Sequence, residues 1–340
     1  MKTIIANKDM ATQWETYVLE HPDTVAWQSY RWCDVLQKHY PVVFYPLAAL
    51  DNDRICGILP IYYVHTSRKN GALVSVPFAV AGGIAADNAE AATMLLEELT
   101  RLRNRHGNCR ATLKQYKVRV EGDLIVDTNY YNRELALQED LARIFDGFED
   151  TNRAAIERAK QQHFQLVFSA VDVDVFYDLL LNHHLRKGLP CPGKKWIWDL
   201  VASGMYSLAL VIENGTAVTG TMVKRFKKTV SFPFTCAANA SQETVAPYWL
   251  YWQLIEHFAR EGVEIFHSGR IPNNDEADPY RLGWGGHAYS YYYQYMSEEA
   301  VRTEYAAKRG IRRNFGQNVW KHLPKPVAKV LGPQVVRRFP

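Results

Sequence analysis

Val74-Ser75-Val76-Pro77-Phe78 has a counterpart 156 residues further on, in Val230-Ser231-Phe232-Pro233-Phe234. In both places a loop follows, then a helix-periodic apolar stretch, a glycine and a β-rich run. Self-similarity of this kind fixes the architecture before any single element is assigned.

The first helix is expected from Glu90 to Arg105, with Met94, Leu95, Leu99 and Leu102 on one face. His106-Gly107 ends it and Ala111-Thr112-Leu113 opens a strand. The second is expected to start near Pro247, where a missing N–H does little harm. Leu250, Leu254 and Phe258 line its face, Gly262 ends it, and Val263–Phe266 is the next strand. Upstream, Tyr45-Pro46-Leu47-Ala48 parallels Tyr206-Ser207-Leu208-Ala209. Each is followed by a turn (Asp51-Asn52-Asp53; Glu213-Asn214-Gly215) and a glycine-bearing strand (Gly57; Gly220). The pattern predicts an α/β (α+β) protein of two tandem units that face each other across a substrate cleft. Each unit is a mixed, mostly antiparallel sheet flanked by helices. The boundaries are placed at 1–150 and 151–297, with a basic tail over 298–340 packing back on the first unit.

Composition agrees with two cores. The chain has 340 residues, beyond the size at which one core stays single. It is 47% apolar and 22% charged, which excludes a disordered chain. Its 20 Tyr and 9 Trp suit a groove for a bulky polar ligand, although for any one of them a place in the core is the more ordinary reading. The five cysteines are scattered without CxxC spacing and read as buried thiols in a reducing compartment. The N-terminus has no signal-peptide pattern and no apolar run is long enough to span a membrane, so a cytoplasmic protein is expected. His183 and His184 are adjacent, so on a helix they point apart, and no metal is expected. Gly-x-Ser-x-Gly, Walker and Rossmann motifs are absent.

The unit order resembles the GNAT acyltransferase fold, and two such units in one chain resemble the FemAB-like aminoacyltransferases, particularly those of PEP-CTERM/exosortase exopolysaccharide clusters. Five stretches carry the resemblance: Trp27–Trp32; Gly57–Pro60 with Leu73–Phe78 and Gly82-Gly83; Arg153–Lys160; Leu185–Pro190 with its Arg-x-Gly-x-Pro turn; and His267-Ser268-Gly269-Arg270 followed by Tyr280-Arg281-Leu282-Gly283-Trp284-Gly285. The last is similar to the family's F-x-x-G-R … Y-x-F-K-x-x-W-G, with Tyr280-Arg281 where the family has Phe-Lys. The resemblance implies transfer of an acyl or aminoacyl group to an amine of a peptide or sugar precursor in cell-envelope or exopolysaccharide synthesis. It implies no tightly bound cofactor. The donor is aminoacyl-tRNA, acyl-CoA or another acyl thioester, and the acceptor is lipid- or nucleotide-linked.

Such transfer needs an amine that sheds a proton, an oxyanion that is held, and two aligned substrates. Arg281 and Arg270 are the cationic candidates. Arg keeps the charge of the family's Lys and gains a planar fork, but cannot serve as a base. Asp275, Glu276 and Asp278 lie between the two arginines as candidate bases or as turn acids, and Asp275 and Asp278 are assigned to the catalytic set with Arg281. Tyr280, Trp284, Arg186, Gly82 and Gly83 complete the expected substrate-binding set. The place of a GNAT pyrophosphate loop reads Ala240–Pro247 and has no glycine, which disfavours ordinary acetyl-CoA use by that route.

Residues 301–340 carry ten Lys/Arg against the single acid Glu304. This basic end fits packing on the first unit, anionic lipid headgroups or a tRNA backbone, and its prolines limit any helix to about two turns. Two other functions stay open: a non-catalytic binding or scaffold protein that kept the doubled fold, and an acyl-CoA-dependent N-acetyltransferase of a small amine.

Overall fold

A computed structural model describes residues 1–65, 71–137, 140–169, 171–238, 244–273, 279–296 and 311–337. The first half of the sequence forms β1 (Lys2–Ile5), α1 (Ala11–Glu20), α2 (Tyr30–His39), β2 (Val42–Asp51), β3 (Arg54–His65), β4 (Gly71–Ser75), β5 (Ala85–Ala86), α3 (Ala89–Arg105), β6 (Arg110–Tyr116), β7 (Ile125–Asp127) and β8 (Tyr130–Ala136). The second half forms α4 (Leu141–Asp146), α5 (Asp150–Ala159), β9 (Phe164–Ser169), α6 (Val173–Lys187), α7 (Lys194–Ala202), β10 (Ser207–Glu213), β11 (Thr216–Phe226), β12 (Thr229–Ser231), β13 (Cys236–Ala237), α8 (Ala246–Arg260), β14 (Ile265–His267), β15 (Ile271–Pro272), β16 (His287–Tyr295), α9 (Ile311–Lys321) and α10 (Lys325–Val336). From β1 to β6 and from β9 to β14 the order of strands and helices is the same. The expected doubling is therefore present.

The chain divides into two compact units. The first holds Met1–Tyr130 and takes in the strand residues from Ser290; the second holds Tyr131–Tyr289 and Asn314–Val336. In the first, the strands run β1-β2-β3-β4-β6-β16, with β5 on β3 and β7 on β16. In the second they run β9-β10-β11-β12-β14-β8, with β13 on β11 and β15 on β8. The fourth and fifth strands in each order are parallel, β4 with β6 and β12 with β14. Each unit is closed by a strand from the opposite half of the sequence: β16 pairs antiparallel with β6, and β8 with β14. The cut expected at residue 150 falls instead at Tyr130/Tyr131, because the closing strands are exchanged.

The pairing also corrects the residue matches. Leu73 packs with α3, as do Leu47 and Ala111. In the second unit it is Val230, with Ala209 and Phe266, that packs with α8. Leu73 is thus the counterpart of Val230, one residue out of step with the sequence match. The slip matters because it turns every side chain to the other face. Val76, at φ 40, takes up the extra residue before the Pro-Phe turn, and the turns then coincide, with Phe78 at φ 62 and Phe234 at φ 58. Gly57 and Gly220 are likewise out of step. A Cβ on Gly57 would meet Leu95 of α3, whereas one on Gly220 would meet Phe176 of α6.

Of the described tail residues, Asn314–Val336 belong to the second unit, whereas the tail is expected on the first; Ile311–Arg313 and Arg337 do belong to the first. Gly188 leaves no room for a Cβ against Gln317, and Gly193 touches Pro333. Pro333 lies inside α10, which runs for twelve residues rather than the two turns expected.

Candidate functional site

In the second unit, β12 and β14 are paired in parallel as far as Ser231 and His267. Beyond that register they separate, β12 into the Pro233-Phe234 turn and β14 into Ser268-Gly269-Arg270. The carboxyl ends of parallel strands are where α/β sheets bind ligands.

Ser268 and Gly269 are held by the exchanged strand β8. The Ser268 N–H donates to the Arg133 carbonyl (3.0 Å), and the Arg133 N–H donates to Ser268 Oγ (3.0 Å). Asn132, fully buried, accepts at Oδ1 from the Gly269 N–H (3.0 Å) and from Ser268 Oγ (3.2 Å). Gly269 has φ 80, a conformation that disfavours a side chain. Arg281 Nη2 lies over it and donates to the carbonyls on either side, Ser268 and Arg270, both at 3.3 Å. Nη1 and Nε of Arg281 hydrogen-bond to none of the described residues. The side chain is partly exposed. Arg270 is exposed, and its carbonyl is one of those that hold Arg281.

Arg281 stands on a 3-10 turn, Pro279–Arg281, that is fixed from beneath. The Tyr280 hydroxyl donates to the Thr235 carbonyl (3.2 Å), and Trp284 Nε1 to the Tyr280 carbonyl (2.8 Å). Both rings are buried, and Trp284 stacks on Tyr251 at 5.3 Å. Asn152 Nδ2 donates to the Leu282 carbonyl (2.8 Å), and the Glu149 N–H to the Gly283 carbonyl (2.9 Å). Gly283 has φ 78, and a Cβ there would fall 2.6 Å from Asn152 Oδ1. The Tyr-Arg-Leu-Gly-Trp segment is therefore a rigid platform whose tyrosine and tryptophan face inward and whose arginine lies at the surface.

Arg186 reaches the same region from α6. Its two terminal nitrogens donate to the carbonyls of Ala237 and Ala238, the latter at 2.7 Å, so it secures the end of β13. Burial lowers its pKa from the usual guanidinium range. Lys224 of β11 is also desolvated, although its residue keeps some exposed surface, and its pKa is pulled down to about 7. His267 Nδ1 accepts from the Gly269 N–H at 3.2 Å. Asp275, Glu276 and Asp278 lie outside the described residues.

Gly82 and Gly83 belong to the first unit. They line a cavity of about 370 Å³ with Gln28, Gln115, Tyr116, Arg119 and the start of α3 at Asn88 and Ala89. The glycines are needed for packing: a Cβ on Gly82 would sit 2.7 Å from Val76 Cγ2, and one on Gly83 2.5 Å from Gln115 Oε1. Gln28 Nε2 donates to the Gly83 carbonyl (3.0 Å), whereas Gln115, 5% exposed, has no partner for Nε2 among the described residues. The structure thus groups Arg270, Tyr280, Arg281, Trp284 and Arg186 in the second unit and Gly82 and Gly83 in the first. Sequence reasoning missed Asn132, Asn152, Lys224 and Gln115. Asn132 is two residues from the unit boundary and more than 130 residues from the glycine it holds, so no local signal marks it.

Among the described residues, no cluster of three or more His, Cys, Asp or Glu could hold a metal ion, and no helix is long and apolar enough to cross a membrane. No family model and no curated protein matches the sequence. Solved structures do. FemX matches with a TM-score of 0.68 at 10% identity, over 89% of this chain and 99% of its own. The C-terminal domain of a putative lysylphosphatidylglycerol synthetase from Agrobacterium fabrum gives 0.57 at 11% identity, over 89% and 97%. A tandem GNAT protein of the clavulanic acid biosynthesis pathway gives 0.55 at 11% identity, over 86% and 97%. At these identities the likeness is one of architecture: the chain shares its fold with the FemX structure and with the tandem GNAT protein.

Proposed function

We propose that this protein is an N-acyl- or aminoacyl-transferase that acylates an amine of a peptide or sugar precursor in envelope or exopolysaccharide synthesis. One observation carries the reading: a guanidinium pinned at the carboxyl ends of parallel strands, with Nη1 and Nε bonded to none of the described residues and so available to a ligand. The fold shared with FemX and tandem GNAT proteins adds support by analogy.

In this reading the acceptor amine attacks the carbonyl carbon of an ester or thioester donor. The C–N bond forms and the carbonyl oxygen takes the negative charge, which Arg281 holds while remaining protonated throughout. The amine proton leaves to a carboxylate, for which Asp275 and Asp278 are the proposed groups, and the C–O or C–S bond then breaks. The departing oxygen or sulfur takes up a proton. The donor, aminoacyl-tRNA or an acyl thioester, arrives and leaves with each turnover, and no tightly bound cofactor is required.

The test offers the purified protein a charged-tRNA pool or acyl-CoA, together with nucleotide-linked peptide and amino-sugar acceptors, and seeks a mass increase on the acceptor. Arg281→Ala should reduce transfer by about 100- to 1000-fold with folding intact, the usual effect of losing one oxyanion donor. Full activity in that variant would remove Arg281 from the mechanism. Acceptor binding without turnover on any donor would favour the scaffold reading.

A further inference from the structure

Helix α10 meets the second unit through its smallest residues. Ala328 is fully buried, and Gly332, one turn on, lies so close to Cys191 that a Cβ would sit 2.5 Å from its carbonyl oxygen. On the same side Lys325 pairs with Asp178 at 3.6 Å, and Lys329 Nζ lies 6.0 Å over the Tyr177 ring. At 100° per residue, Val327, Val330 and Leu331 fall on the opposite face. They are 41%, 67% and 42% exposed. The usual arrangement is inverted: alanine and glycine touch the protein while branched aliphatics face outward.

Charge indicates the occupant. The last forty residues carry ten Lys/Arg and one acid. Lys321, Lys325, Lys329 and Arg337 are all exposed along the described part. Three aliphatic side chains cannot supply the roughly 800 Å² per partner of a stable protein interface. They do suffice to enter the headgroup boundary of a bilayer when basic residues hold them to an anionic surface. We propose that α10 docks this protein on anionic lipid, with Val327, Val330 and Leu331 entering the interface and the exposed Lys321, Lys325, Lys329 and Arg337 drawing the helix to the anionic surface from its flanks. The contact goes beyond the transferase reading and does not depend on it.

The test is flotation of the full-length protein with vesicles of phosphatidylcholine alone or with about 30% phosphatidylglycerol, at low and high salt. The protein should float with the anionic vesicles, binding them at least tenfold more tightly than the neutral ones, and should lose this at high salt. Val330→Asp/Leu331→Asp, at exposed positions, should weaken flotation at least tenfold with an unchanged thermal melt. Equal flotation by that variant, or none by the wild-type protein, overturns the proposal. Retention of tRNA by a protein that ignores vesicles would overturn it too and assign the basic tail to nucleic acid. Transfer to a water-soluble acceptor should be unaltered in the double variant, so failure of the lipid contact and failure of the transferase reading give different results.

Discussion

Arg281 occupies the space that a side chain on residue 269 would need: its Nη2 lies 3.1 Å from where a Cβ on Gly269 would be, and it bonds to the carbonyls of the two residues flanking that glycine. The glycine of the Gly-Arg pair and the arginine of the Tyr-Arg pair, twelve residues apart in sequence, thus form one unit. The first permits the approach of the second.

Gly269→Ala should therefore act on the site and not merely on the fold. A side chain at φ 80 costs about 1–2 kcal/mol. The added methyl must also shift the guanidinium by a few tenths of an ångström against the two carbonyls that hold it. Transfer should fall about 10- to 100-fold with KM little changed, as expected when a catalytic group is misplaced. Arg281→Lys in the wild-type background should retain part of the activity by keeping the charge. Steady-state kinetics and a urea melt on each variant separate the two effects, and unchanged kinetics for Gly269→Ala would mean that the Arg281 position is unimportant.

Trp284→Phe should loosen the platform beneath Arg281. The buried Tyr280 carbonyl loses the indole N–H at 2.8 Å, and the stack on Tyr251 loses area. An unsatisfied buried acceptor together with a small void costs about 2–3 kcal/mol. Chemical denaturation should show that loss, and the Arg281-dependent activity should fall with it even at temperatures where the variant is fully folded.

The order of elements was legible because periodicity is local: Leu95, Leu99 and Leu102 mark α3, and Leu250, Leu254 and Phe258 mark α8, with no need of tertiary information. The exchange of closing strands was not, because Tyr291 finds Tyr116 and Phe266 finds Leu135 across more than 130 residues. Nor was the one-residue slip between Leu73 and Val230, since two apolar neighbours in a buried strand look alike until the sheet assigns their faces. Arg281 was legible only through its motif, and Asn132, which secures the glycine beneath it, carries no sequence signal at all. Pro333 suggested a break, yet α10 contains it, packed against Gly193.

Strand exchange predicts how fragments behave. Residues 1–130 alone lack β16 and leave β6 as an open edge. They also lose both hydrogen bonds between Gln294 and Val120 (2.7 and 2.9 Å) and that from the Tyr293 hydroxyl to the Val80 carbonyl (3.1 Å). This fragment should show no cooperative melt. Joining residues 287–296 to residue 130 through a short Gly/Ser linker should restore one, because β16 runs antiparallel beside β7 and can close as a hairpin. Cooperative unfolding of residues 1–130 without the added strand would show that the exchange is dispensable.

Lys224 makes the last prediction, and its sign is fixed. Burial lowers its folded pKa to about 7, against an ordinary lysine value near 10.5 in the unfolded chain. Between these values the unfolded state binds more protons than the folded one, so stability rises with pH through that window. Below pH 7 the lysine is charged in both states and the whole desolvation cost remains; above about 10.5 it is neutral in both and the cost is gone. Met222 and Lys224 lie on the β11 face turned away from α8, since Val223 between them packs with that helix. Methionine is accommodated on that face already. The stability of Lys224→Met relative to the wild type should then be greater at pH 6 than at pH 10 by on the order of 2–4 kcal/mol, and its pH dependence between pH 7 and 10 should be flatter. Urea titrations at pH 6, 8 and 10 read both quantities. A variant less stable than the wild type at pH 6, with the slope intact, would mean that the ammonium is stabilised in place and that desolvation does not govern it.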